Sequence, residues 1–330
     1  MAAAARHRVL ALVMESEGWR GFPSTGWQSV DAVRRRLDAG ADPNTGPFWM
    51  TPLRSAVEFG TAEVVAEVAA RVDDVDQLDD GRSALWQAVY EGKADIARAL
   101  LAAGADPSRP MMSGWSPARL SLVTGNVIPS GEVLTDEEER AVRECGRLTL
   151  ALKGFRHYDG YSIACVAGID AEEATRRLNA TVVPTAEVPP EVPAGDWWPA
   201  PFGEDTERAL SVTDVPGGCV LVQPWYFNAQ TPVVMKLLSA GTVAYGMYAN
   251  PKSGNQGNIH RDGQTVGRDL HPGGGPGERD STFEVLLAHL YAHKAVAYCC
   301  AYVGLRPKND KAFTDPDRWL LLPDIDFWRS

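Results

Sequence analysis

The sequence predicts an α-solenoid followed by an α+β sandwich, and three observations carry that prediction. Glycines recur at Gly60, Gly92 and Gly125, a period of 32 to 33 residues. A serine or threonine opens an apolar helical pattern in step with them. After Gly154 the period disappears, and short strand-like runs broken by glycine and proline replace it. A fixed period of this length signals stacked helical hairpins, each too small to bury its own apolar face alone. Such a stack is a surface for holding something else, so the spacing points toward binding.

Taken in order, Val30–Leu37 supplies the second helix of a partial first unit that ends at Asn44. Two complete units follow at 47–78 and 79–111, and a degenerate fourth begins at Gly114. Thr51, Ser83 and Ser116 are placed to cap each first helix through the hydroxyl, with Pro52 and Pro117 preset in its first turn. Gly60, Gly92 and Gly125 are expected at positive φ between helices, and Gly40 and Gly104 after the second helix. The runs 63–68 and 95–101 supply the apolar stripes. The middle unit lacks the closing glycine and reads Arg71-Val-Asp-Asp-Val-Asp76, which predicts weaker turn hydrogen bonding there. Thr135 and Glu138 form a capping box for a helix running toward Leu152, whose Val142, Leu148 and Leu152 are expected to close the open end of the stack. The domains expected are therefore 1–153 and 154–330.

Thr51-Pro-Leu-Arg-Ser-Ala56, Ser83-Ala-Leu-Trp-Gln-Ala88 and the paired Gly40-Ala-Asp-Pro-Asn44 and Gly104-Ala-Asp-Pro-Ser108 resemble the ankyrin repeat. The pattern's histidine is replaced by Arg54, Trp86 and Arg119. That resemblance implies a groove lined by the turn before each first helix and by the residues before its closing glycine. Carried over by register, the groove holds Pro47, Phe48, Met50, Glu58 and Phe59, then Asp79, Asp80, Arg82, Tyr90 and Glu91, then Met112, Ser113 and Trp115. Aromatic residues and methionine are enriched at protein interfaces, and Asp79 with Asp80 favours a cationic patch on a protein partner.

Composition narrows the partner. With 45% hydrophobic and 23% charged residues over 330, the chain can bury a normal core. Its formal charge is −11, shared as −6 over residues 1–150 and −5 over 151–330. Neither half is a basic module, which argues against nucleic acid and anionic membranes. The five cysteines are odd in number and include an adjacent pair, Cys299–Cys300, which does not make a disulfide framework. Reduced thiols, no secretory pattern at the start and no stretch long enough to span a bilayer point to the cytoplasm.

In the second half, strands are expected at 161–166, 218–222, 242–249 and 319–322, and helices at 171–178 and 233–239. Asp262-Gly263 reads as a hairpin turn, and Ser281 with Glu284 as a capping box opening one long helix toward Gly304. Six prolines in 183–201 exclude regular structure there. The run Ser162–Asp170 with Glu173 and Arg176-Arg177-Leu178 is similar to an uncharacterised actinobacterial domain family, which implies a shared fold and no transferable activity.

A catalytic alternative stays open. His289 and His293 lie four apart, as zinc ligands on one helix face do, with His260, His271 or Cys299 as a third ligand. Leu290 stands where a metalloprotease needs glutamate, and no Gly-Lys-Ser/Thr follows the loop His271–Gly277, which reads as mobile. No metal and no cofactor is called for. Helix-face histidines hydrogen-bonded in place and inert buried thiols are the simpler reading. The function expected is protein binding by a stoichiometric regulator, such as an immunity-like neutraliser of its partner, with an enzyme pocket in the second half as the alternative.

Overall fold

The computed structural model describes residues 17–46, 50–155, 159–184, 187, 203–277 and 279–329. They form two compact units, Met1–Asp136 with Gly277–Val285, and Glu137–Pro276 with Leu286–Ser330.

The first unit is the helical stack. The second helix of the partial repeat is α1 (Val30–Asp38). Two full pairs follow, α2 (Pro52–Phe59) with α3 (Ala62–Ala69), and α4 (Ala84–Tyr90) with α5 (Ala94–Ala102). A lone first helix, α6 (Pro117–Thr124), ends at Gly125 with φ 77°. In place of a first helix before α1 stand two 3-10 turns, Glu17–Trp19 and Ser24–Gln28. There Trp19 and Trp27 stack at 4.9 Å, and the Trp19 indole donates to the Asp42 carbonyl at 2.8 Å.

Each cap works as the sequence implies. The hydroxyls of Thr51, Ser83 and Ser116 accept the N–H groups of Arg54, Trp86 and Arg119 at 3.1, 3.2 and 3.0 Å. The apolar stripes Val64, Val65 and Val68 on α3, and Leu85, Trp86 and Ala88 on α4, are buried. Gly40, Gly92, Gly104 and Gly125 take positive φ as expected. Gly60 does not: its φ is −96°, in extended backbone. Its glycine answers a close approach instead, since a Cβ there would lie 2.5 Å from the Ala56 carbonyl oxygen and 3.0 Å from that of Trp27.

The middle repeat, without the closing glycine, lacks one backbone bond of the turn: Ala41 and Ala105 donate to the Arg36 and Leu100 carbonyls at 3.0 and 3.1 Å, whereas the equivalent Asp73 N–H goes to the Asn44 side chain at 2.9 Å. Asp42, Asp74 and Asp106 occupy one register, and their carboxylates accept the N–H groups of Asn44, Asp76 and Ser108 at 2.8, 2.9 and 2.8 Å. Asp74 therefore keeps the side-chain bond of this turn that Asp42 and Asp106 make.

The helix expected to close the stack, α7 (Asp136–Ala151), falls almost wholly in the second unit. Its Leu148, with Leu152 beyond its end, packs in a core with Ile163, Val220 and Met247. The second unit is a three-layer sandwich around one antiparallel sheet. Along the chain its elements are β1 (Ser162–Ala167), α8 (Ala171–Arg177), β2 (Thr181–Val183), β3 (Ala209–Val215), β4 (Gly218–Gln223) and α9 (Pro232–Leu238). Then come β5 (Val243–Asn250), β6 (Gly254–Arg261), β7 (Gln264–Leu270), α10 (Thr282–Leu290, whose residues up to Val285 belong to the first unit), α11 (Ala295–Tyr302), α12 (Lys311–Thr314) and β8 (Arg318–Leu321). The spatial order is β2-β8-β3-β4-β1-β5-β6-β7.

β1 is central and pairs with β4 and β5, so both its faces are buried and it reads as a continuous apolar run. Ile163 and Cys165 face one core with α7, α11 and α12. Ala164 and Val166 face the other with α8 and α9. The turn between β6 and β7 has Asp262 at φ 50° and Gly263 at φ 74°, the type I′ geometry that Asp-Gly favours. The single long helix expected after Ser281 is broken in two. His293 takes a left-handed φ of 60° and donates its N–H to the Gly273 carbonyl at 2.8 Å, which interrupts the ladder between α10 and α11.

Because Gly60 is fixed by contact and not by φ, Gly60→Ala destabilises the stack by about 1–3 kcal/mol. A lowered urea midpoint reads that cost, and Gly131→Ala, with nothing within 4 Å, leaves the midpoint unchanged.

Candidate functional site

The edge of the stack that carries the sequence-predicted residues is built from turns hydrogen-bonded repeat to repeat. Asp79 and Arg82 pair by backbone bonds of 2.9 and 3.1 Å, with Asp80 at φ 50° and Gly81 at φ 73° forming a tight turn. The Asp79 carboxylate accepts the Thr51 N–H at 3.1 Å. One repeat on, Met111 stands at the same register, and its Sδ receives the Ser83 N–H at 3.2 Å. Lys93 Nζ donates to the carbonyls of Val57 and Glu58 at 2.8 Å each, closing the C-terminal end of α2 with a cation.

The predicted residues differ in exposure. Glu58, Phe59, Asp80 and Glu91 are exposed, and Met50, Asp79, Arg82 and Tyr90 are half-buried. Pro47 and Phe48 lie outside the described residues. Met112 and Trp115 are buried, and of the last group only Ser113 is exposed. Trp115 faces the chain itself: its indole donates to the Thr282 carbonyl at 2.8 Å, and the Thr282 hydroxyl donates to the Ser113 carbonyl at 2.8 Å. The Ser113 hydroxyl bonds the Asp280 carbonyl. Residues 280–282 thus occupy the position beside the fourth repeat that sequence register assigned to a partner.

The structure brings together one set of side chains that the sequence pattern separates. Arg82 lies over the Trp86 ring at 5.5 Å, and Trp86 stacks on Tyr90 at 5.1 Å with 11° between planes. In the next repeat the same two registers exchange roles, with Arg119 over Trp115 at 4.7 Å. The signal was legible: position 82 aligns with 115, and 86 with 119, so an arginine–tryptophan pair recurs in reversed order. Burial pushes the Tyr90 hydroxyl up to about 12, so it stays protonated at physiological pH and can donate. Glu91 pairs with Lys93 at 2.6 Å, and the Asp79 charge is bound by Thr51, which leaves Glu58 and Asp80 as the exposed acids of this edge.

Comparison with known proteins agrees with this geometry. A family model for ankyrin repeats (3 copies) matches residues 26–111. Residues 26–111 are an ankyrin-repeat region. A protein of Treponema pallidum (strain Nichols), described as ankyrin repeat-containing, is 43% identical over 83 residues, 24% of this chain. The match spans 28% of that relative's own length. The second unit is a distinct domain joined to this ankyrin-repeat region.

Outside the ankyrin-repeat region, the residues weighed for catalysis do not assemble. Among the described residues, no three histidine, cysteine or acidic side chains come together to hold a metal ion. His289 lies on α10, whereas His293 lies beyond its end, so the two do not share a helix face. His260 is buried on β6 beside Thr265, and burial, then Arg268, lowers its pKa. His271 bonds the Asn255 carbonyl at 3.0 Å. The glycine-rich loop is fastened at Gly273, whose carbonyl holds the His293 N–H. All five cysteines are buried and unbridged, and burial pushes the Cys219 thiol up to about 12 and Cys299 well above its ordinary value. Cys165 and Cys300 sit 3.7 Å apart, and that contact, with burial, likewise holds Cys165 as the neutral thiol. Such thiols are poor nucleophiles.

Burial lowers His289 to about 4, with Lys294 adding to the effect. The unfolded chain protonates this histidine near 6.5 and the folded chain does not, so its contribution is present above pH 6.5 and lost as pH falls toward 4. Unfolding free energy is expected to drop by about 2 kcal/mol from pH 7 to pH 5. A His289→Gln variant flattens that dependence in urea titrations at the two pH values.

Proposed function

We propose that this protein captures another protein through the turn edge of its second and third ankyrin repeats, and that the capture regulates or neutralises that partner one to one. The observation that carries this reading is the pair of half-buried side chains Arg82 and Tyr90, both held against the buried Trp86 ring and flanked by exposed Phe59, Glu58 and Asp80. Arginine and tyrosine are among the residues that most often dominate protein–protein binding energy. Arg82 stands in the turn before α4 and Tyr90 at that helix's end, each packed on the Trp86 ring, so little side-chain freedom is lost on binding.

The exposed acids Glu58 and Asp80, in a chain of net charge −11, favour a partner with a cationic patch and disfavour nucleic acid. Among the described residues no helix is long and apolar enough to cross a membrane. Five unbridged thiols favour a reducing compartment, and we place the protein in the cytoplasm on that ground. We assign the second unit to the actinobacterial domain family it resembles on the run Ser162–Leu178.

The test is affinity capture from an extract of the native host, read by mass spectrometry, with the wild-type chain and a Phe59→Ala, Asp80→Asn double variant. Asparagine keeps the left-handed backbone that Asp80 adopts. The captured partner is expected to bind the variant at least roughly tenfold more weakly, with a melting temperature unchanged within about 2 °C. Undiminished capture by the variant removes this edge from the binding site.

A further inference from the structure

The fourth repeat has a first helix and no second one. After α6 the chain turns at Gly125 and runs back beside it, with the Ile128 N–H donated to the Ser121 hydroxyl at 2.8 Å. Where the second helix of that repeat would pack, an open groove of about 350 Å³ remains. Ala94, Ala97, Arg98 and Leu101 of α5 form one wall, and Val127 and Ile128 part of the other. Val127 is 59% exposed.

What belongs in this groove is written elsewhere in the same stack. α1 and α5 are both nine residues long and stand two repeats apart, so Val30, Val33, Arg34 and Leu37 align with Ala94, Ala97, Arg98 and Leu101. In α1, Val33 and Leu37 are buried, and α3 packs against that helix. Arg34 reaches from α1 to Glu67 on α3, with Nη2–Oε2 at 2.8 Å and Nε–Oε2 at 3.2 Å. That bond, foremost, holds the Glu67 carboxyl below its ordinary pKa. Asp31 stands one turn before Arg34, as Asp95 does before Arg98. The face of α5 that lines the groove is thus the face of α1 that a following helix covers, with the same Asp-x-x-Arg pair on its rim. Arg98 has 72% of its side chain exposed.

We infer that this groove binds an amphipathic helix from a partner protein, one with a small aliphatic face and a glutamate in the register of Glu67. The partner's helix stands in for the missing half of the fourth repeat. Its aliphatic face covers Ala97 and Leu101, and its carboxylate takes the Arg98 guanidinium as Glu67 takes Arg34. This surface is separate from the Phe59–Tyr90 edge, so either can fail without the other.

The probe is a stapled helical peptide with the sequence of Thr61–Val72, labelled with fluorescein and titrated with the full chain by anisotropy. Saturable binding is expected, weakened roughly tenfold or more by Arg98→Glu. A peptide carrying Glu67→Lys is expected to restore binding to that variant. Ala97→Trp, which fills the groove, is expected to abolish binding, whereas Phe59→Ala leaves it unchanged. Absence of saturable binding to the wild-type chain, or indifference to Arg98→Glu, overturns the inference. Self-association of the wild-type chain in sedimentation that Arg98→Glu dissolves also overturns it, since the groove would then belong to a second copy.

Discussion

Helices of seven to nine residues, such as α2, α4 and α5, are too short to persist alone in water. They exist here because they are buried against the neighbouring repeats, with α2 and α4 also capped at their starts by Thr51 and Ser83, whereas α5 has no side-chain cap. The capping hydroxyls of Thr51, Ser83 and Ser116 satisfy one otherwise orphaned donor each, at a cost of about 1 kcal/mol if removed. The larger contribution is the apolar contact between repeats, where Val64, Val65, Leu85 and Leu100 are fully buried. Everything else about the first unit follows from that contact. The turns fall in one row because the helices do, and the side chains of the row are held still because the helices are.

Polar contacts between repeats repeat with the same period. Asp79 and Met111 receive the N–H groups of Thr51 and Ser83, and Asp76 accepts the Asp106 N–H at 2.9 Å, next to the Asp turns themselves. Asn44 and Asp73 exchange bonds of 3.1 and 2.9 Å. Such contacts stabilise little singly in exposed positions, but they fix register. A stack with fixed register presents the same side-chain position once per repeat, which is why an arginine–tryptophan exchange between registers 82/86 and 115/119 has structural meaning. The open end of the row has equal meaning: where the period stops, the last second helix keeps a face that its counterpart α1 has covered.

Most of the repeat region was legible, because a helical hairpin repeated at fixed spacing overdetermines its own boundaries. The capping residues, the left-handed glycines at 40, 92, 104 and 125, and the strands around β1 and β5 all follow from local chemistry. What escaped was tertiary. Gly60 answers a contact with Trp27 from the preceding unit, which no local rule contains. Trp115 looks like an interface tryptophan by register, yet residues 280–282, far along the chain, claim its indole. β3 was missed because Ser211 and Thr213 interrupt its apolar run. In the sheet both are buried, with the Ser211 hydroxyl donating to Val222 and that of Thr213 accepting the Asp317 N–H. The break between α10 and α11 depends on His293 reaching Gly273, again a contact remote in sequence.

The central claim is that the turn edge of repeats two and three is where a partner protein sits. Hydrogen–deuterium exchange of the chain, alone and with its captured partner, tests it most directly. The account predicts that amides of 79–83 and of the residues around Phe59 and Tyr90 slow on binding, while those of β1 and β4 do not change. Protection confined to the sheet unit, with the turns exchanging as fast as in the free chain, would contradict it.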